Sequence, residues 1–222
     1  MKRIPEPELM DDPEQARAYA MADFSEPHQA FIERFRERFP DHSPLRVLDL
    51  GCGPADISIR FAHAYPNCEL TGIDGSEAML ALGREAVDAA DMQDRIRLVR
   101  VRLPGELPAH STFDTVISNS LLHHLADPLV LWNTLKDNGP PQRRSIFVMD
   151  LLRPDSRSVA RRLVDAYSGN EPELLKRDFF KSLLASYRPD EIRAQLLTAG
   201  LEGYLQIDVV SDRHLIVWGN LA

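Results

Sequence analysis

The stretch Val47-Leu48-Asp49-Leu50-Gly51-Cys52-Gly53-Pro54-Ala55-Asp56 decides how this chain is read, together with Leu70-Thr71-Gly72-Ile73-Asp74, whose last residue falls 25 positions after Asp49. Arg46 to Leu50 is a short apolar run of the kind a parallel sheet buries, and it passes directly into a glycine turn. Gly51 and Gly53 let the backbone turn sharply and come close to a ligand. The second run ends on a carboxylate, which can accept hydrogen bonds from both hydroxyls of a ribose. Together the two runs predict a nucleoside site at the carboxyl edge of a parallel sheet, where open α/β folds hold their ligands.

The loop narrows the choice of nucleoside. A dinucleotide fingerprint carries a third glycine that lets the helix approach the strand and hold a pyrophosphate at its N-terminus. Asp56 stands at that position and would repel phosphate. Asp49, just before the glycines, favours a ligand with an amino or other cationic group over NAD, FAD or ATP. No Gly-Lys-Ser/Thr phosphate loop occurs anywhere in the chain.

Outward from this centre the pattern alternates. Strands are expected at 46–50, 69–73, 96–101, 113–118, 145–150, 203–210 and 214–219, with helices at 54–65, 76–90, 127–137 and 189–199. Such alternation predicts an α/β fold: a doubly wound, mostly parallel seven-stranded sheet. Before it, residues 1–12 are rich in Pro and acids and read as an irregular arm. Asp12-Pro13-Glu14 then starts a helix with a capping side chain and Pro in the first turn. A second helix near His28 to Phe39 repeats Phe31, Ile32, Phe35 and Phe39 at helical spacing. The organisation expected is one domain: an N-terminal helical arm and lid over 1–44, a core over 45–154 and 188–222, and a helical lid insertion over 155–187.

At 222 residues the chain can bury a sizeable core as a single domain. Its formal net charge of −8 disfavours phosphate backbones, so nucleic acid is a poor partner. Arg95, Arg97, Arg100 and Arg102 form the densest basic run, and their alternation places them on an exposed strand face. Two cysteines, Cys52 and Cys68, fit a reducing cytoplasm and give no metal spacing. The first residues lack the apolar segment of a signal peptide, and no run approaches a membrane span of about 20 apolar residues. A cytoplasmic monomer or homodimer is expected.

Asp49-Leu50-Gly51-Cys52-Gly53 resembles the first motif of the class I S-adenosylmethionine-dependent methyltransferases, and Ile73-Asp74 resembles their ribose-binding acid. Phe113 to Leu125, with its His123-His124 pair, resembles the fourth strand and following helix of the small-molecule branch around the ubiquinone-pathway C-methyltransferases. Ile146 to Pro154, Tyr187 to Ile192, Leu196 to Leu201 and Ser211 to Gly219 extend the resemblance over roughly residues 45 to 220. It implies a Rossmann-like core that binds S-adenosylmethionine. Asp49, Gly51, Cys52 and Gly53 would pass the methionine moiety, Asp74 would bind the ribose, and Gly75, Ser76, Met79, Asn119 and Tyr19 would complete the cofactor site.

Methyl transfer from a sulfonium is an in-line displacement in which the protein supplies alignment, desolvation and, for some acceptors, a base. His123, His124 and His28 are the catalytic candidates, because imidazole titrates in the useful range. Phe24, His28, Asp150, Arg153 and Tyr187 are candidates for the acceptor pocket. No His/Glu/Asp cluster with metal spacing is apparent, so transfer without a metal to a small-molecule acceptor is expected. An RNA- or protein-directed methyltransferase, or a cofactor-binding module without turnover, are the alternatives. Two segments depart from the resemblance. Leu98 to Pro104 lacks the acid that usually follows the third strand near adenine, which leaves backbone groups, apolar walls or a stacked Arg to hold that ring. Asn138 to Arg144 replaces the usual Pro-Gly-Gly turn and reads as a polar turn.

Overall fold

A computed structural model describes residues 1–6, 10–108, 112–137 and 144–221. The polar turn expected across 138–144 therefore lies, but for Arg144, outside the described residues. Strands β1 (Arg46–Leu50), β2 (Glu69–Asp74), β3 (Ile96–Arg100), β4 (Thr115–Asn119), β5 (Arg144–Leu151), β6 (Leu205–Val209) and β7 (His214–Leu221) form one sheet in the order β3-β2-β1-β4-β5-β7-β6. The first five are parallel, and β7 runs antiparallel to both β5 and β6. The strand order reverses between β1 and β4, so a crevice opens beyond their carboxyl ends, where the glycine turn leaves β1. The expected fold class, a mostly parallel seven-stranded Rossmann-like sheet, is what the chain adopts.

The helices are α1 (Pro13–Met21), α2 (Ser25–Arg38), α3 (Asp56–Ala64), α4 (Glu77–Ala89), α5 (Leu129–Asp137), α6 (Arg157–Ser168), α7 (Glu173–Ala185) and α8 (Pro189–Ala199). Asp12 caps α1 by accepting from the Glu14 and Gln15 amides, as the Asp-Pro-Glu start implied. Alternate side chains of each central strand feed opposite layers. Leu48, Leu50, Val116, Ile146 and Val148 face Trp132 of α5 and Ile192 and Leu196 of α8. Val47, Ile117, Phe147 and Met149 face Phe31 and Phe35 of α2 and Phe61 of α3. There Phe31 and Phe147 meet edge to face at 4.9 Å, as do Phe35 and Phe61.

That second layer separates α2 from the arm and lid to which residues 1–44 were assigned. Phe31, Ile32 and Phe35 are all but inaccessible to solvent, so α2 is a layer of the core and only its first turn reaches the carboxyl edge. Its helical spacing of large aromatics is what a buried stripe requires. The insertion forms α6 and α7, which bury a small apolar centre of their own from Ala160, Leu163, Val164, Leu183 and Leu184 against Leu151 at the end of β5. The N-terminal arm runs along this pair, with the Ile4 amide donating to the Leu184 carbonyl at 3.0 Å. Among the described residues no helix is long and apolar enough to cross a membrane.

Candidate active site

The turn after β1 is built on left-handed backbone: φ is +73° at Gly51, +52° at Gly53 and +66° at Ala55, just before α3 begins. The amides of Gly51 and Cys52 both donate to the Ile73 carbonyl, at 2.8 and 3.0 Å, and so pin the turn onto β2. A Cβ on Gly51 would lie 2.9 Å from a Leu121 methyl, whereas a Cβ on Gly53 would meet nothing within 4 Å. Gly53 thus faces open space, the cradle a ligand needs. Gly51 is required by both its conformation and its neighbour. Gly51→Ala is expected to lower folding stability by about 1–2 kcal/mol from the left-handed backbone alone, read from urea unfolding. An unchanged midpoint would refute this account of the turn. The Cys52 thiol is buried, and burial pushes its pKa well up, so it stays protonated and is not a nucleophile.

Two acids lie at the foot and lip of this turn. Asp49 is 1% exposed, accepts a 2.6 Å hydrogen bond from the Ser58 hydroxyl of α3, and is pushed up to about 7 by burial. Asp74 is half-buried; its Oδ2 accepts from the Gly53 amide at 2.9 Å and its Oδ1 from the Ser76 amide at 2.8 Å. Burial raises its pKa despite these bonds. Asp74 therefore ties the first glycine loop to the second while keeping part of its carboxylate open. Gly75 is half-buried beside it, Ser76 caps α4 by accepting from the Met79 amide, and Met79 is buried beneath. Next to this lip β3 contributes Arg100, paired in register with Asp74, whose Nε donates to the Gly75 carbonyl at 3.3 Å. Arg97, Arg100 and Arg102 are exposed, as their alternation implied, while Arg95 is half-buried and holds the Ala62 and Pro66 carbonyls.

The arm and α1 close over these groups. The Met10 carbonyl accepts from the Ser76 hydroxyl at 2.8 Å. Tyr19 lies in the field of Asp56, Asp74 and Asp150, and burial first, then these charges, push its phenol up to about 12. Its ring packs on Phe24 at 4.7 Å, and Phe24 packs on His28 at 5.3 Å. His28 Nδ1 lies 2.5 Å from Asp56 Oδ2, which also receives Arg60 Nε at 2.7 Å. Although burial acts against it, these partners hold Asp56 below its ordinary pKa. Asp56, which the sequence offered only as an obstacle to phosphate, thus orients His28.

Beyond β4 and β5 the geometry is different. Asn119 is half-buried at the tip of β4, opposite Met149. Asp150 is 2% exposed: Oδ1 lies 2.5 Å from His123 Nδ1 and accepts the Leu151 amide, while Oδ2 accepts the Leu122 amide at 2.8 Å. With both oxygens engaged, Asp150 positions the His123 turn instead of meeting an acceptor. His123 is buried as deeply, and His124 stacks on it at 4.2 Å. Although burial alone would lower it, the Asp150 carboxylate lifts the His123 imidazole above its ordinary pKa. Arg153 and Tyr187 also serve the frame. Arg153 bonds Glu191 at 2.7 Å and the Ser186 carbonyl at 3.2 Å, and Tyr187 carries the Arg3 guanidinium 4.1 Å above its ring.

Three features were not anticipated. Arg3 donates to the carbonyls of Ala185 and His123, and Glu6 Oε1 sits 3.4 Å from both His123 Nε2 and His124 Nδ1. A His/His/Glu cluster of metal-ligating atoms therefore exists, contrary to the sequence expectation, because the arm returns across more than a hundred residues of sequence. Arg213, in the turn between β6 and β7, is buried, reaches Glu26 of α2, and stacks at 3.3 Å on Tyr167 of α6.

Residues 47–137 match the family described as a methyltransferase domain. A 27-O-demethylrifamycin SV methyltransferase of Amycolatopsis mediterranei is 30% identical over 177 residues, covering 76% of this chain and 60% of that one. An S-adenosylmethionine-dependent methyltransferase from Aquifex aeolicus superimposes with a TM-score of 0.68 at 16% identity, over 95% of this chain and 99% of the other. A plantazolicin methyltransferase in complex with SAH and a triazolic desmethylPZN analog gives 0.69 at 13% identity, over 95% and 92%. The chain spans between 22% and 60% of the length of the curated relatives it matches.

Proposed function

We propose that the protein transfers a methyl group from S-adenosylmethionine to a small-molecule acceptor, a reading supported by the match of residues 47–137 to a methyltransferase domain and by a fold shared with an S-adenosylmethionine-dependent methyltransferase. The observation that carries the reading is the convergence of Asp49, the open Gly53 and the partly exposed Asp74 on one crevice, roofed by Tyr19. When bound, S-adenosylmethionine supplies a methyl on a sulfonium, an already activated leaving group. Asp74 holds the ribose hydroxyls, Asp49 faces the amino end, and Arg100 lies on the adenine side in place of the missing acid. Tyr19 and Phe24 exclude water and align the acceptor for in-line displacement, with no metal taking part.

His28 is the candidate base. Asp56 orients it, and it stands in line with Phe24 and Tyr19 on the roof. His123 and His124 act in the frame of the site, because Asp150 and Glu6 engage them. The resemblance of Phe113 to Leu125 to the ubiquinone-pathway enzymes and the rifamycin relative both support a small acceptor over RNA or protein. Two free, buried cysteines are in keeping with a reducing cytoplasm.

Calorimetric titration tests the reading. Micromolar binding of S-adenosylmethionine and S-adenosylhomocysteine, with none of NAD, is expected; no binding of either sulfur cofactor would sink it. In the same experiment Asp74→Ala should weaken the cofactor by roughly 1.5–3 kcal/mol, the worth of charge-assisted bonds to the ribose. Unchanged affinity would remove the ribose assignment.

A further inference from the structure

We propose that Glu6 Oε1, His123 Nε2 and His124 Nδ1 form a binding site for a divalent first-row cation of the Zn²⁺ type, which fastens the N-terminal arm to the carboxyl edge of the sheet. The three ligand atoms lie within 4.8 Å of one another, and the two carboxylate–imidazole separations are 3.4 Å each. Zinc bonds of about 2.0–2.2 Å to nitrogen and oxygen place neighbouring ligand atoms about 3.0–3.5 Å apart in a tetrahedron. Two of the three edges already have that length, and closing the third asks for a small rotation of stacked rings. The side chains of Glu6 and His123 are 9% and 2% exposed, so the cluster is not a solvated acidic patch.

The surroundings are those of a metal site. His123 Nδ1 lies against Asp150, which leaves Nε2, on the Glu6 side, as the atom to meet a metal; a carboxylate behind a ligating imidazole is the usual outer partner of a bound zinc. The carboxylates of Glu6 and Asp150 flank the His123 imidazole, one at each ring nitrogen. Two imidazoles and one carboxylate suit Zn²⁺ or Co²⁺ and not the all-oxygen preference of Mg²⁺. Glu6 lies only four positions before Met10, whose carbonyl caps the Ser76 hydroxyl at the crevice lip. A cation there would hold the arm over the crevice without entering the displacement. The inference stands independently of the methyl-transfer reading.

The test uses the full chain, freed of metal by chelator and titrated with Zn²⁺ by calorimetry and with Co²⁺ by visible absorption. One equivalent per chain is expected, with cobalt d–d bands. Glu6→Gln and His124→Gln should each weaken binding at least tenfold, and His63→Gln, an exposed histidine elsewhere, should not. Saturating Zn²⁺ should also protect the first twelve residues from limited proteolysis in the parent and not in Glu6→Gln. Glu6 belongs to the arm, so its variant retains the sheet and keeps the test decisive. Absence of saturable binding, or binding that both variants leave intact, would overturn the site and leave Glu6 as an ion-pair latch only.

Discussion

Asp150→Ala is expected to remove about 3–5 kcal/mol of folding stability, the cost of leaving one member of a buried charged pair without its partner. The size follows from how many groups depend on one side chain. The carboxylate partners His123 Nδ1, the Leu122 amide and the Leu151 amide, all in a region closed to water. Truncation would orphan two amides and an imidazole at once, and no solvent can reach them. Asp150→Asn keeps an acceptor for one amide, so its loss should be smaller. Urea unfolding of the metal-free variants measures both. A loss under about 1 kcal/mol in the Ala variant would mean that water enters the site and that the pair is not truly buried. The His123 turn should loosen with it, carrying the Arg3 and Glu6 contacts of the arm.

This pair also marks how far the sequence could be read. The doubly wound sheet was legible because its strands are apolar runs bounded by turns, a signal that lives within five or six residues. The glycine turn and Asp74 were legible for the same reason: Asp49 to Asp56 and Leu70 to Asp74 are local patterns with a stereochemical requirement. What could not be read depends on contacts distant in sequence. Asp150 ends β5 and so pointed towards the crevice, but only the path of Leu122 and His123 in space reveals that its oxygens are taken. Arg153 and Tyr187 were candidates for the acceptor pocket, and in the fold they hold the 186–191 segment and the arm. Glu6, in an arm with no periodicity, carried no signal of its own; its importance comes from where Arg3 and Ile4 lead the chain. Phe31 and Phe35 did carry a signal, a buried helical stripe, which argues for core packing over lid duty.

Asp49→Asn should produce two opposite effects. In the folded protein the Asp49 carboxyl is pushed up to about 7 by burial, from an ordinary 3.8. Between those values the folded state keeps a proton that the unfolded state releases, so the stability this group lends is complete below 3.8 and is lost as pH rises through 7. Above 7 the fold carries a buried anion, at a cost of roughly 4 kcal/mol, which the hydrogen bond from the Ser58 hydroxyl offsets in part. The Asn side chain still accepts from Ser58 and holds no charge at any pH. The variant should therefore match the parent at pH 4 and exceed it in melting temperature at pH 8. Cofactor affinity should move the other way, weakening by roughly tenfold or more at pH 8, since the cationic amino end loses its counter-charge. A residue that costs stability where the protein is charged, and repays it on binding, is one held for function. Equal melting temperatures at both pH values would refute the buried anion. A stabilised variant with undiminished cofactor affinity would instead take Asp49 out of the binding site.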